Sequence, residues 1–307
     1  MKISDWLSPE EVRRYTSRSD WRGSGVVASN WLIIAAAFAL VALWPNVLTV
    51  VVALLLLAGR QMGLAVLMHE AGHGTLFQTK ALNRWIGQWL CAYPVLGNME
   101  AYAASHREHH RLAGTHEDPD LPNYQAYPIS RASFRRKIVR DLTGCTGLKL
   151  VSGLFGGRSG DIMMRGSDHY PSALPQQLAV NAAMLLALAL CGLPELYLLW
   201  VAAYLTLYTA IARIRQVAEH ANVGNLYDRD PRLNTRTTLA NPLERLLLAP
   251  NHVNYHAEHH FMASAPCYRL TALHKALVAK GFYAECPDAV VHGYWKLLQR
   301  VVPELAS

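Results

Sequence analysis

The chain has 307 residues, 52% hydrophobic and only 17% charged, against roughly one-quarter charged for an average soluble domain. Leu, Ala and Val fall in blocks, which points to a membrane rather than a large soluble core, so the net charge of +7 has to be read from where Lys and Arg lie and is not by itself a nucleic-acid signal. Five scattered cysteines (Cys91, Cys145, Cys191, Cys267, Cys286) with no Cys-x-x-Cys pair argue against a disulfide framework and a thiolate metal site.

The first predicted element is a short helix with Ser8 as N-cap, Pro9 as its first residue and Glu11 closing a capping box. No apolar core stands directly behind the short basic start, so residues 1–25 read as an interfacial segment and not as a signal peptide. Two apolar runs follow, Val26 to Trp44 and Val47 to Leu67, split by Pro45-Asn46. A second pair, Leu178 to Leu193 and Leu196 to Ala212, is split around Pro194-Glu195. Each run approaches or meets the roughly 17–25 residues of a spanning helix, and a Pro-containing break between two such runs predicts a tight hairpin. The expected fold is all-α integral membrane, with four transmembrane helices in two hairpins over 26–67 and 178–212. The segments 68–177 and 213–307 would form a cytosolic helical cap.

Neither hairpin connector holds a Lys or Arg. The positive-inside rule therefore puts both tips away from the cytoplasm, and both termini and the cap inside it. Arg60, a lone cation in the second run, is expected to snorkel near the inner face. Within 68–177, Trp85, Ile86, Trp89, Leu90 and Tyr93 share a helical spacing that suits the headgroup layer. Phe134-Arg135-Arg136-Lys137-Ile138 is basic and suits anionic lipid, an acidic redox partner or a solvated face. Ser152 to Gly166, rich in Gly, reads as a loop.

Three of the fourteen-histidine chain's motifs carry the chemistry. They are His69-Glu70-Ala71-Gly72-His73, His106-Arg107-Glu108-His109-His110 and His256-Ala257-Glu258-His259-His260. On a helix, positions i, i+3 and i+4 share one face, so each motif presents two or three imidazoles together. The first motif follows the second apolar run, and His220 lies just past the fourth. If the spans continue as helices, all these groups rise beyond the hydrocarbon on one side and can meet. One tetrahedral zinc uses four ligands; eight imidazoles, nine with His220, imply two metal ions. Imidazole suits Fe, Zn, Cu and Ni alike. Oxygen chemistry beside lipid favours iron.

In these motifs, and in Gly114-Thr115-His116-Glu117-Asp118-Pro119-Asp120 after the second, the chain resembles the membrane fatty acid desaturases and their relatives among carotenoid ketolases and lipid hydroxylases. Their pattern is H-x-x-x-H, H-x-x-H-H and H-x-x-H-H around four spanning helices, and the likeness runs from about residue 50 to 270. The resemblance implies a di-iron cage of His69, His73, His106, His109, His110, His220, His256, His259 and His260. It implies that Gln216 contacts a metal through water. Because such irons are set well apart, Glu70, Glu108 and Glu258 are expected behind imidazoles rather than on the metals, with Asp118 in a similar outer position. His252 and His116 read as polar loop residues, and His169, His274 and His292 as ordinary.

The resemblance further implies an oxygen-dependent acyl-lipid desaturase with two Fe ions and O2 as co-substrate, acting on a lipid or acyl chain. No haem, flavin or iron–sulfur motif is recognisable, so electrons would come from a ferredoxin or cytochrome b5-like donor with its reductase. The compact Ala- and Arg-rich sequence points to a bacterial inner membrane. A lipid hydroxylase or carotenoid ketolase would use the same site; the Arg215-x-x-x-Glu219-His220 approach looks more desaturase-like. The first motif also fits His-Glu-x-x-His of zinc proteases, but that reading leaves both H-x-x-H-H motifs idle. A metal transporter would need its ligands in mid-span.

Overall fold

Local sequence sets where the first helices begin. The computed structural model describes residues 1–156 and 171–306. Helix α1 (Pro9–Thr16) starts on Ser8, whose hydroxyl accepts from the Glu11 amide at 3.2 Å while the Glu11 carboxylate accepts from the Ser8 amide at 2.8 Å. This is the reciprocal capping box. Helices α2 (Asp20–Leu43) and α3 (Val47–Gly72) follow, and Asn46 caps α3 by accepting from the Thr49 amide at 3.1 Å. Helix α4 (Lys80–Ile86) runs into a π turn at Gly87–Ala92. Next come α5 (Met99–Leu112), α6 (Arg131–Leu142) and α7 (Cys145–Phe155).

Helix α8 (Leu174–Leu190) leads through Gly192, at φ +76°, to α9 (Pro194–His220). The remainder holds β1 (Thr237–Leu239), α10 (Pro242–Leu247), α11 (His256–Phe261), α12 (Cys267–Ala279), β2 (Val290–His292) and α13 (Tyr294–Val301). Among the described residues α2, α3 and α9, with 24, 26 and 27 residues, are long and apolar enough to cross a bilayer. Helix α8 is apolar but has 17 residues, about 25 Å against roughly 30 Å of hydrocarbon.

Helix α3 is the axis of the molecule. Of its apolar stretch 67% is buried, against 33% for α2, and every residue from Leu57 to Ala71 is buried. Between helices in lipid the hydrophobic effect gives no net drive, so close approach and polar contacts have to hold them. Gly59 and Gly63 permit that approach: a Cβ on Gly59 would lie 2.9 Å from the Leu246 carbonyl oxygen, and one on Gly63 2.1 Å from Asn30 Oδ1. Asn30 Nδ2 donates to Asn251 Oδ1 at 3.0 Å, Asn251 Nδ2 to the Gly63 carbonyl at 2.8 Å, and Gln61 Nε2 to the Trp200 carbonyl at 2.8 Å.

Several local expectations change in this frame. Arg60 does not snorkel: it is buried, donating to Asn30 Oδ1 at 3.2 Å and to the Leu246 carbonyl. The cause is tertiary, because α10 and the turn at Pro250–His252 pack along α3 beside it. Ser152 to Phe155 close α7 rather than open a loop; residues 157–166 of that stretch, and His169, lie outside the described residues. The Trp-rich stretch is split between α4 and the π turn, with Trp85 and Trp89 exposed. The helical fold also contains a parallel ribbon, with Thr237 opposite Val290, Thr238 opposite Val291 and Leu239 opposite His292. Three-residue strands are too short to show a period in sequence.

Candidate metal centre

Four segments deliver the histidines to one end of the bundle. The C-terminal turn of α3 carries His69 and His73, α5 carries His106, His109 and His110, α9 ends on His220, and α11 carries His256, His259 and His260. Asn251 and His252, both left-handed at φ +56° and +63°, turn the chain sharply ahead of the short α11.

The nine imidazoles do not meet at one point. His69, His73, His106, His110 and His259 form one group and His109, His220, His256 and His260 a second, with one ring nitrogen of each residue within 4.8 Å of the others in its group. Helix geometry explains the division. Positions i and i+4 are about 40° apart on one side, and i+3 falls about 60° to the other. Thus α5 sends His106 and His110 to the five-histidine group and His109 to the four-histidine group. Helix α11 sends His259 to the first, and His256 and His260 to the second.

Donor chemistry fits metal ions. In the first group the Nε2–Nε2 separations are 2.8 Å for His69–His106, 3.2 Å for His69–His73, 3.0 Å for His106–His110 and 3.0 Å for His110–His259. In the second, His220 and His256 are 2.9 Å apart. Nitrogens bound at about 2.1 Å at right angles around one ion stand about 3.0 Å apart. A chain of shared Nε2 atoms cannot satisfy itself with protons, because each nitrogen has one lone pair or one hydrogen, not both. His260 Nε2 is buried and has no hydrogen-bond partner among the described residues. A cation between the rings satisfies all of them.

The outward nitrogens set the orientation of the rings. His109 Nδ1 lies 2.8 Å from Asp118 Oδ1, whose carboxylate also accepts from the Tyr124 hydroxyl and, at 2.9 Å, from the Asp120 amide. His220 Nδ1 faces the Asn234 carbonyl at 3.0 Å, and His256 Nδ1 is 3.6 Å from Glu219 Oε1, itself paired with Arg215 at 2.7 Å. A proton held on Nδ1 by such an acceptor leaves the Nε2 lone pair facing inward. Tyr124 stacks on His220, and Tyr102 on His106. Burial, followed by the neighbouring imidazoles and cations, holds His106, His110, His256, His259 and His260 well below the ordinary histidine pKa, as neutral donors. For His109 burial acts in the same direction, but the Asp118 hydrogen bond with Asp120 and Glu219 leaves its pKa raised.

Against known proteins, the sequence model of the fatty acid desaturase family matches residues 44–292. The chain belongs to the fatty acid desaturase family. It is 29% identical over 269 residues to the dihydrorhizobitoxine desaturase of Bradyrhizobium elkanii, covering 83% of this chain and 74% of that protein. It is 33% identical over 73 residues to an sn-1 acyl-lipid omega-3 desaturase (ferredoxin) of Synechocystis, covering 24% of this chain and 19% of that protein. This desaturase-family chain is an oxidoreductase and a membrane protein.

Not every carboxylate expected behind an imidazole of this family member is there. Glu108 is exposed and pairs with Arg111 at 2.6 Å, because its place on α5 faces away from both groups. Glu258 is fully buried but accepts from His274 Nδ1 at 2.5 Å, from the Tyr283 hydroxyl and from the Thr237 hydroxyl. It therefore holds α11 from behind and orients no cluster imidazole directly. His274, read as ordinary in the sequence, belongs to that clamp. Glu70 Oε1 is 3.3 Å from His69 Nδ1, and Oε2 accepts from the Thr75 hydroxyl at 3.0 Å and the Cys267 amide at 2.8 Å. It stands on the outer side of His69, where the general base of a zinc protease could not act.

Gln216 is half-buried on α9 and makes no side-chain hydrogen bond among the described residues. His116 stacks on Tyr227, His252 bonds Thr271 at 3.1 Å, and His292 is exposed in β2. The sequence marks Arg215 and Glu219 as part of a desaturase-like approach to His220 but assigns them no role in the site, although opposite charges at i, i+4 beside His220 are a usable signal. The Asn234 carbonyl and the two stacked tyrosines had none.

Proposed function

We propose that this family member is an oxygen-dependent di-iron acyl-lipid desaturase. His69, His73, His106, His110 and His259 would hold one iron, and His109, His220, His256 and His260 the other. The observation that carries this reading is the division of nine imidazoles from four separated segments into two adjacent donor sets. All-nitrogen sets also suit Zn, Cu and Ni; iron is favoured because desaturation of an unactivated chain needs a redox metal. Bound iron would supply that oxidising chemistry, with O2 as co-substrate.

The protein's own residues hold and aim the rings. Asp118, the Asn234 carbonyl, Glu219 and Glu70 stand behind His109, His220, His256 and His69, and Gln216 would reach the four-histidine set through water. Helix α8 would complete four spans in two hairpins, over 26–67 and 178–212, beneath a cap of 68–177 and 213–307. Neither tip, 44–46 or 191–195, carries Lys or Arg, which supports histidines on the cytoplasmic side, in a bacterial inner membrane. Electrons would come from a ferredoxin or cytochrome b5-like donor with its reductase; the word ferredoxin in one relative's name supports the former. The more extensive match is to the dihydrorhizobitoxine enzyme, so polar products belong in the test beside lipids.

The test is untargeted mass spectrometry of lipids and polar metabolites from a host co-expressing the chain, a ferredoxin and its reductase, beside the His256→Ala variant. Acyl lipids two hydrogens lighter, absent with the variant, are expected. Products with added oxygen would replace this reading with a hydroxylase or ketolase. A polar product alone would overturn the acyl-lipid assignment, and purified chain holding zinc but no iron would overturn the di-iron one.

A further inference from the structure

Away from the histidines, α6 and α7 combine unpaired charge with exposed apolar surface. Arg135, Arg136 and Arg140 are exposed and have no ion-pair partner among the described residues. The same surface shows Val139, Leu142, Leu148 and Phe155, the last 72% exposed. Between 131 and 155 the sole acidic residue is Asp141, and it is buried, held by Arg213 with Nη2 at 2.9 Å from Oδ1. In water such a surface would be a liability. At a bilayer surface, arginines alternating with large apolar side chains are what an interfacial element needs.

Depth along α9 separates lipid from a soluble partner. Glu195 keeps the Pro194 end of α9 at the edge of the hydrocarbon or outside it. Thr209 and Arg213, which contact Asp141, then stand about 22 and 28 Å along the helix axis, close to the opposite edge. Gly147 of α7 crosses α9 lower down: a Cβ there would lie 2.4 Å from the Leu205 carbonyl oxygen, only about 16 Å from the Pro194 end. The end of α6 therefore lies at headgroup level, and α7, although within the segment 68–177 assigned to the cap, dips from there into the acyl layer. A soluble acidic protein could meet the arginines of α6 but could not cover the apolar side chains of α7 at that depth.

We propose that α6 and α7 form an anionic-phospholipid site, with the Arg135, Arg136 and Arg140 guanidiniums on headgroup phosphates and α7 in the acyl chains beside them. The site is independent of which metal the histidines hold. A basic side chain near an anionic surface contributes up to about fivefold in lipid partition.

The test uses full-length chain in phosphatidylcholine vesicles containing a trace of spin-labelled phosphatidylglycerol or spin-labelled phosphatidylcholine, read by electron paramagnetic resonance as the protein-bound lipid fraction. Native chain should prefer phosphatidylglycerol by about fivefold or more, falling as salt rises. The R135Q/R136Q/R140Q variant should lose most of that preference, whereas R229Q/K275Q, a control at two exposed cations of the 213–307 segment, should keep it. Equal preference in the native and triple-variant chains, with the variant's melting temperature unchanged, would overturn the proposal. Unchanged lipid preference together with slower reduction by an acidic ferredoxin would assign the surface to a redox protein instead.

Discussion

The five-histidine and four-histidine groups share α5 and α11, yet they are supported differently. Behind the four-histidine group stand Asp118 on His109, the Asn234 carbonyl on His220 and Glu219 near His256. Behind the five-histidine group the support is thinner: the outward nitrogens of His69 and His259 are buried without a hydrogen bond among the described residues, and Glu70 only approaches His69. His73 and His110 of that group are half-buried, against His260 alone in the other. One group thus relies on oriented donors and the other on their number. An oriented set of four has no donor to spare, whereas a set of five can lose a half-buried member such as His73 and keep four.

The largest effect expected is from removing a donor. His220→Ala should cost the purified chain about one metal ion and all desaturation, exceeding the roughly 100-fold cost of losing an outer partner. His73→Ala should retain most of its metal. Metal analysis of both variants decides this, and equal losses would mean that the two groups are not built on different principles. His110→Ala and His256→Ala remove donors nearer the contact between groups and should abolish turnover.

Glu258→Gln comes next. Its carboxylate receives three donors and holds α11, which feeds both groups. Replacing it should destabilise the metal-free chain by about 1–3 kcal/mol, read as a lowered melting temperature, and weaken both metal sites together. Loss confined to one group would show that His256 and His259 are positioned separately. The smallest effect sharpens the comparison most. Asp118→Asn should lower metal affinity of the four-histidine group about 10-fold, measured by chelator competition, while Glu70→Gln should change the other group less. The reverse order would break the contrast.

Much of this site was legible beforehand because its signal is local. Spacings of three and four residues state which imidazoles share a helix face, wherever that helix packs. The expected spans rest on the same locality, since apolar length is counted along the chain. Asp118 could be flagged within its motif, nine residues after His109. Glu108 and Glu258 occupy equivalent places in two similar motifs, yet one is paired at the surface and the other buried in a clamp. Within the motifs the local difference is Arg107 before Glu108 against Ala257 before Glu258, and it does not name the partners of the buried clamp.

By itself, then, the sequence determined the helical membrane class, the histidine inventory and the end of the bundle where the histidines gather, because helix period and hydropathy act over a few turns. Tertiary structure alone decided which group each side of an H-x-x-H-H motif joins, opposite for α5 and α11, and the use of the Asn234 carbonyl. It also decided the burial of Arg60 and the clamp of Thr237, His274 and Tyr283 on Glu258. Each of these depends on which face of one helix meets a segment far away in the chain, and that is fixed by packing rather than by any local period.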